Sequence, residues 1–480
     1  MKLRLRDAAL FSSTAPARLP FRFGATTLTR GATLVARVRI ESEASPLAVE
    51  GFSADLLVPK WFEKDPAKSA EDDAAALVAS ARAAASEYVA PAAAATAFDH
   101  ATRVAAALVE SRPEGAPDRL VRGFGAALLE RAVIDAACRA AGLSFFAALR
   151  EGALGFEPAR IYPELAGMRP EDFLPAAPLE SIAVRHTVGL ADALRERDVP
   201  AASRVGDGFP ESLEAEVRAR SLSWFKVKLA GDPPADAARL LAVASVLDET
   251  APSDWRLTVD GNEQFASCGA VEALLDALLA SEAGRRLLAR LVHVEQPLPR
   301  ARTLDPAHAP SAALAARVAL VIDEADSGAG AFPRAARLGY RGVSAKNCKG
   351  VFRSLAHAAL VVARRDASLF QSAEDLTTLP VLALQQDLAT AAAIGLAHAE
   401  RNGHHYFRGL AHLPPEEARG ALAAHADLYE EAASCGGALR IRGGRLAIAS
   451  LQGTGFGYGV PIRVDARTPV AEPAAARPLR

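Results

Sequence analysis

The sequence predicts an α/β fold, with an α+β block leading into an eight-stranded parallel barrel, and three observations point to it. From about residue 182 onward, short apolar segments alternate with helical stretches, the pattern of repeated βαβ units and a parallel sheet. Before that, the patterning changes once, from period-two alternation to helical periodicity. Five consecutive candidate strands also end in ionisable side chains, as strands that open onto the active face of a barrel do.

Residues 1 to about 60 read as strands, with Arg18–Gly24 and Thr33–Ile40 the clearest, and residues from about 66 to 148 read as Ala-rich helices ending near Gly142. Between them, Gly51–Phe62 carries more large apolar and aromatic residues than a solvated loop needs, so lids are expected near 18–24 and 51–64. The barrel strands are expected at Val184–Leu190, Trp224–Leu229, Arg256–Asp260, Leu291–Glu295, Val318–Asp323, Gly342–Lys346, Ser368–Gln371 and His404–Phe407. Eight such strands close naturally into a barrel. The tail from Ala438 to Val460 again reads as strand, so a C-terminal return to the first domain is expected. The domain reading is therefore 1–150, 151–437 and 438–480.

At 480 residues the chain has enough length for a large core. A formal charge of −2 excludes a strongly basic nucleic-acid or membrane footprint. Cys138, Cys268, Cys348 and Cys435 lie far apart with no C-x-x-C pair, which argues against a disulfide framework or a zinc cage and suits a reducing cytoplasm. No apolar run reads as a spanning helix, and the N-terminus lacks a signal-peptide core, so no membrane association is expected.

Lysine is scarce, eight residues against forty-seven Arg, and four of the eight fall in Phe225–Lys228 and Ser344–Lys349. A desolvated lysine near another cation can lose its proton and act as a base, which arginine cannot. Side-chain alternation puts Lys226 and Lys228 on one face, Thr258, Asp260 and Asn262 on one face, and Ser344, Lys346 and Cys348 on one face. Asp260, Glu295 and Asp323 end adjacent strands with no His or Cys in register, a hard oxygen set that suits Mg²⁺ better than zinc. A metal there, gripping a substrate carboxylate, stabilises the enediolate left when a lysine takes the α-proton. Strands two and six lie on opposite sides of an eight-stranded ring, so their lysines reach opposite faces of one α-carbon.

Each residue also has a plainer reading. K-x-K is commonly a solvated edge, but Trp224, Phe225, Val227 and Leu229 make this strand a buried one. Asp323-Glu324 has the form of a helix cap, a role compatible with metal ligation by Asp323. Lys349 reads as a loop lysine and Cys348 as a packed thiol. His404 and His405, adjacent on an expected strand, point to opposite faces and are read as structural or as one substrate contact, with His186 open to the same doubt. Gly453–Gly459 lacks the strand–helix unit of a dinucleotide site.

The strand-end motifs Lys226-Val227-Lys228, Val259–Asn262, Val294–Pro297, Ile322–Glu324 and Ser344–Lys346 resemble those of the enolase superfamily, in its muconate-lactonizing branch. Glu130–Ala136 is similar to that family's helix before the barrel, and Gly453–Gly459 to its C-terminal return. The resemblance implies a modified (β/α)₈ barrel with an N-terminal α+β capping domain, one Mg²⁺ (with Mn²⁺ as a substitute) on Asp260, Glu295 and Asp323, and a homo-oligomer. It makes Lys228 and Lys346 the catalytic pair, with Lys226 holding the substrate carboxylate and lowering the pKa of Lys228. Asn262 and Glu374 complete the expected substrate contacts. Two departures stand out: the spacing from Asp260 to Glu295 is long, with the excess expected in Ser281–Arg290, and Asn347–Gly350 replaces the usual Gly-Gly pair after Lys346. The expected reaction on a small carboxylate is racemisation, epimerisation or cycloisomerisation. β-Elimination by a dehydratase or dehydrating synthase is the alternative, and a barrel that binds a ligand without turnover is a third reading.

Overall fold

The computed structural model describes residues 1–24, 26–111 and 118–470. Three antiparallel strands open the chain, β1 (Leu3–Phe23), β2 (Thr26–Ser42) and β3 (Ser45–Leu56). In β2 the alternation does what it should: Leu34, Ala36, Val38 and Ile40 are fully buried, while Arg37 and Arg39 point outward. The helices α1 (Ala70–Val89), α2 (Ala97–Ala105) and α3 (Arg119–Ala141) cover this sheet. Asp118 caps α3 at its start and Gly142, in the left-handed region, ends it. Gly51 lets β3 lie directly on α3, because a Cβ there would come within 2.2 Å of the Ala132 carbonyl oxygen.

The barrel consists of β4 (Ser181–Val188), β5 (Trp224–Lys228), β6 (Arg256–Asp260), β7 (Leu291–Glu295), β8 (Ala319–Ile322), β9 (Gly342–Ala345), β10 (Phe370–Ala373) and β11 (His398–Arg401). All neighbours are parallel, and β11 pairs with β4 to close the ring. The long β6–β7 connection contains an additional short helix, Glu282–Leu288. No helix among the described residues is long and apolar enough to cross a membrane. All four cysteines are free thiols.

Three strand positions differ from the sequence expectation, the first being Ser181–Val188 rather than Val184–Leu190. The eighth strand is His398–Arg401, and the segment expected to form it, His404–Phe407, instead contains a helical turn, Gly403–Tyr406. His404, His405 and Tyr406 are consecutively buried, so their apolar and aromatic character does not reflect a strand face. The seventh strand begins two residues later than expected, because Asp366 caps a turn through the backbone and hydroxyl of Ser368. In the first domain, Gly51–Leu56 completes β3, so only the part of the expected lid after Leu56 is loop.

The C-terminal segment touches both layers. The hairpin Ile441–Arg442/Arg445–Ala447 joins the start of β4. Beyond it, buried Asp135 of α3 accepts hydrogen bonds from the Phe456 amide (3.2 Å) and the Tyr458 hydroxyl (2.8 Å), and Pro469 pairs with Phe11 of β1.

Candidate active site

Parallel register lays the charged strand ends side by side. Lys228 pairs with Asp260 and Asp260 with Glu295 across β5, β6 and β7. Val227 and Val259, one residue earlier, turn into the apolar core. Lys228 Nζ lies 2.7 Å from Asp260 Oδ2. Lys226, one pleat lower and fully buried, is surrounded by four carboxylates: Glu295 at 2.6 Å, Glu374 at 2.7 Å, Glu400 at 2.9 Å and Asp260 at 3.0 Å. Burial alone would lower the Lys226 pKa, but these four charges drive it well above the ordinary lysine value.

Asp323 follows β8 and meets β9. Ser344 donates to its Oδ1, and Lys346 Nζ lies 2.6 Å from Oδ2. Burial works against the charged form of Asp323, yet Lys346, Lys349 and Lys226 hold its pKa well below the carboxylate range. Burial likewise opposes protonated Lys346, but Asp323, with Glu295 and Glu400, outweighs it and raises the pKa of this amine. Gln296, next to Glu295, orders the Asp323 backbone: its Oε1 accepts from the amides of Asp323 (2.8 Å) and Ala325 (3.1 Å).

The first domain roofs this cluster. Phe21, Phe23, Val58 and Trp61 form the apolar wall of a cleft whose floor carries Lys228, Lys346, Asn262, Asp375, Glu400 and Asn402. Lys346 Nζ sits 4.5 Å from the centre of the Trp61 ring. The loop bearing Trp61 is fixed to the barrel by Arg300, which donates to the Trp61 and Phe62 carbonyls at 2.7 Å each and pairs with Glu263. Lys64 adds a second tie, to the Asn262 carbonyl at 2.6 Å and to Glu263 at 2.7 Å.

Among the residues expected from sequence, Lys228, Lys346 and Asn262 line the cleft together. Lys226, Asp260, Glu295 and Asp323 lie in the charged cluster around them. Glu374 is placed beneath Lys226, held by Arg185 of β4 and by Ser372, and is fully buried. The acid on the cleft floor at this end of the ring is Glu400, which sequence reasoning missed because the eighth strand was placed six residues late. Its signal is the alternation in His398-Ala399-Glu400, with Ala399 fully buried. Lys349 is a correction: it is no loop lysine but is buried, 2.7 Å from Ser344 Oγ, 3.1 Å from Asp326 and 3.4 Å from Asp323. Cys348 packs in the core.

The cluster's chemistry fits a divalent cation. Six carboxylates, Asp260, Glu295, Asp323, Asp326, Glu374 and Glu400, face five cations, Lys226, Lys228, Lys346, Lys349 and Arg185, so the acids outnumber the bases by one. Glu295 is the member most strained by this excess: its oxygens accept no well-directed hydrogen bond, and burial with Asp260 and Glu374 drives its pKa well upward despite Lys226 at 2.6 Å. Orphaned carboxylate oxygens in a buried anionic cluster are what a hard cation satisfies. Two sets of side chains among the described residues bring ligand atoms within 4.8 Å of one another: His293, Glu295 and Glu374 in this cluster, and His186, Glu216 and His404 elsewhere. Asp260, Glu295 and Asp323 are not such a set, since Lys226 stands between Asp260 and Glu295.

No protein-family model matches the sequence, and no curated protein does. Solved structures do match across nearly the whole chain. A muconate lactonizing enzyme from Pseudomonas fluorescens, complexed with muconolactone, is 15% identical over 97% of this chain and 99% of that one, with a TM-score of 0.61. An N-succinyl Arg/Lys racemase from Bacillus cereus is 14% identical over 98% of both chains, TM-score 0.59. A dipeptide epimerase from Enterococcus faecalis, complexed with Mg and L-Leu-L-Tyr, is 12% identical over 95% of this chain and 99% of that one, TM-score 0.57. The shared feature is the fold, a (β/α)₈ barrel under an N-terminal cap.

Proposed function

We propose that the chain is an enzyme of the enolase superfamily that moves the proton α to a carboxylate, acting as a racemase, epimerase or cycloisomerase. One observation carries this reading: Lys228 and Lys346, from strands on opposite sides of the ring, open onto the same small cleft. An α-carbon between them has one amine on each face, so one lysine removes the proton and the other returns it. The fold-mates named above, which include a racemase, an epimerase and a lactonizing enzyme, support the reaction class.

In this reading Asp260, Glu295 and Asp323 would hold one Mg²⁺ once Lys226 gives way between Asp260 and Glu295, and the ion would supply positive charge to the substrate carboxylate. The remaining work belongs to the chain. Lys346, whose pKa is raised by Asp323, Glu295 and Glu400, serves as the acid. Lys228, tied to Asp260, faces the other side. Lys226 adds fixed positive charge beneath the substrate carboxylate. Trp61, Phe21 and Phe23 exclude water from the cleft, which strengthens each of these interactions.

The test is α-proton exchange. The protein is incubated with Mg²⁺ in deuterium oxide and pools of N-acyl amino acids, dipeptides and hydroxy acids, and loss of the α-proton signal is followed by NMR. Exchange that EDTA abolishes and Mg²⁺ restores is the expected result. No exchange across the pools, together with no Mg²⁺ binding in a titration, would overturn the proposal in favour of a binding role.

A further inference from the structure

The second potential metal set lies away from the cleft, at the seam where the barrel closes. His186 belongs to β4 and pairs across the seam with Arg401 of β11. His404 follows three residues after Arg401, in the helical turn Gly403–Tyr406. Glu216 comes from the helix Leu213–Arg220 that precedes β5. His186 and Glu216 are buried to 1% and 0% exposure, and His404 to 9%.

The geometry is that of ligands around one small ion. His186 Nδ1 and His404 Nε2 are 3.1 Å apart, and His404 Nε2 lies 3.9 Å from Glu216 Oε2. Two imidazole nitrogens bound to a tetrahedral zinc-class ion, each at roughly 2.0–2.1 Å, stand about 3.3–3.4 Å apart. Two histidines and a glutamate are also the donor set of open zinc sites, which leave a fourth position to water. A pocket lined by His404, Arg220, Phe209 and Phe407 adjoins the cluster and has room for that fourth ligand. The carboxylate is held at both oxygens: Arg220 Nε donates to Oε2, the oxygen nearest His404, at 2.5 Å, and His405 Nδ1 faces Oε1 at 2.9 Å, so an ion would share Oε2 with Arg220. The His405 carbonyl in turn accepts from Arg18 of β1, so the cluster touches the strand that reaches over the barrel mouth.

We propose that His186, Glu216 and His404 form a second metal site, for a zinc-class transition ion. Two imidazole donors separate it from the cleft cluster, where Asp260, Glu295 and Asp323 offer oxygen only and the His293, Glu295 and Glu374 set offers one nitrogen, so the sites differ in preference as well as position. Bound there, the ion joins the first strand, the helix after it and the turn after the last strand, and so pins the closing seam. This site is independent of the reaction assigned to the cleft.

The test uses the full-length protein, stripped by chelation, saturated with Mg²⁺ and then titrated with Co²⁺. The expected result is a single equivalent with the intense visible bands of tetrahedral Co²⁺, retained in Asp260→Asn and lost in His404→Gln and Glu216→Gln, with folding of each variant checked by circular dichroism. Absence of these bands in the wild type, or their survival in folded His404→Gln and Glu216→Gln, would overturn the proposal. Should those variants not fold, X-ray absorption of the Zn²⁺-loaded wild type decides: two imidazoles around the ion support the site, and oxygen-only scattering rejects it.

Discussion

The ammonium of Lys346 lies 4.5 Å from the centre of the Trp61 indole, so a loop of the first domain lays an aromatic face over an amine carried by the barrel. A cation–π contact contributes about 0.5–2 kcal/mol depending on how far it is desolvated, and Trp61 is only 3% exposed. Trp61→Leu is expected to lower turnover by roughly 3–30-fold, the same energy converted to rate. Trp61→Phe should restore part of it, because it keeps the aromatic face. Equal losses in both variants would show that only bulk matters at this position.

Each lysine of the proposed pair has a separable role. Lys228→Ala and Lys346→Ala are each expected to reduce turnover by on the order of 10²–10⁴-fold, with Mg²⁺ affinity nearly unchanged in a calorimetric titration. Full activity in either variant removes that lysine from the mechanism.

Burial and the neighbouring Asp260 and Glu374 drive the pKa of Glu295 well upward, and its oxygens accept no well-directed hydrogen bond. Glu295→Gln should therefore cost little folding stability, measured by thermal melting, while abolishing Mg²⁺ binding. A variant that binds Mg²⁺ as tightly as wild type would place the ion on other carboxylates.

Arg300 latches the Trp61 loop through two carbonyls and Glu263. Hydrogen bonds from a charged donor contribute roughly 1.5–3 kcal/mol. Arg300→Ala is expected to speed amide hydrogen exchange in residues 58–64 and to raise KM, with melting of the barrel little changed. Unaltered exchange in that segment would mean that Lys64 alone holds the loop.

Phe21, Phe23, Val58, Trp61 and Leu376 make the cleft wall apolar, with the polar side chains confined to Thr377 and the floor. Each hydroxyl placed against such a wall loses its water without compensation, so carboxylates with an apolar side chain should turn over and polyhydroxy acids should not. Efficient turnover of a sugar acid would contradict this reading of the wall.

The row Lys228, Asp260 and Glu295 was legible in the sequence, and so was the pair Ser344 and Lys346. Strand alternation and parallel register are local rules, and each of these strands has enough apolar residues to reveal its phase. β11 has only four residues, two of them charged, so its one local signal, the alternation in His398-Ala399-Glu400, was outweighed by the His- and aromatic-rich turn that follows. Glu400 and the approach of His404 to His186 were hidden with it. Lys349 looked like a loop residue because its partners, Asp323, Asp326 and Ser344, come from other turns of the chain. By itself, then, the sequence determined the barrel, its order of strands and most of the charged rim. Only the tertiary structure decided which of those charges neutralise one another, which aromatic of the first domain covers Lys346, and which histidines meet at the seam, because each depends on contacts between segments far apart in the chain.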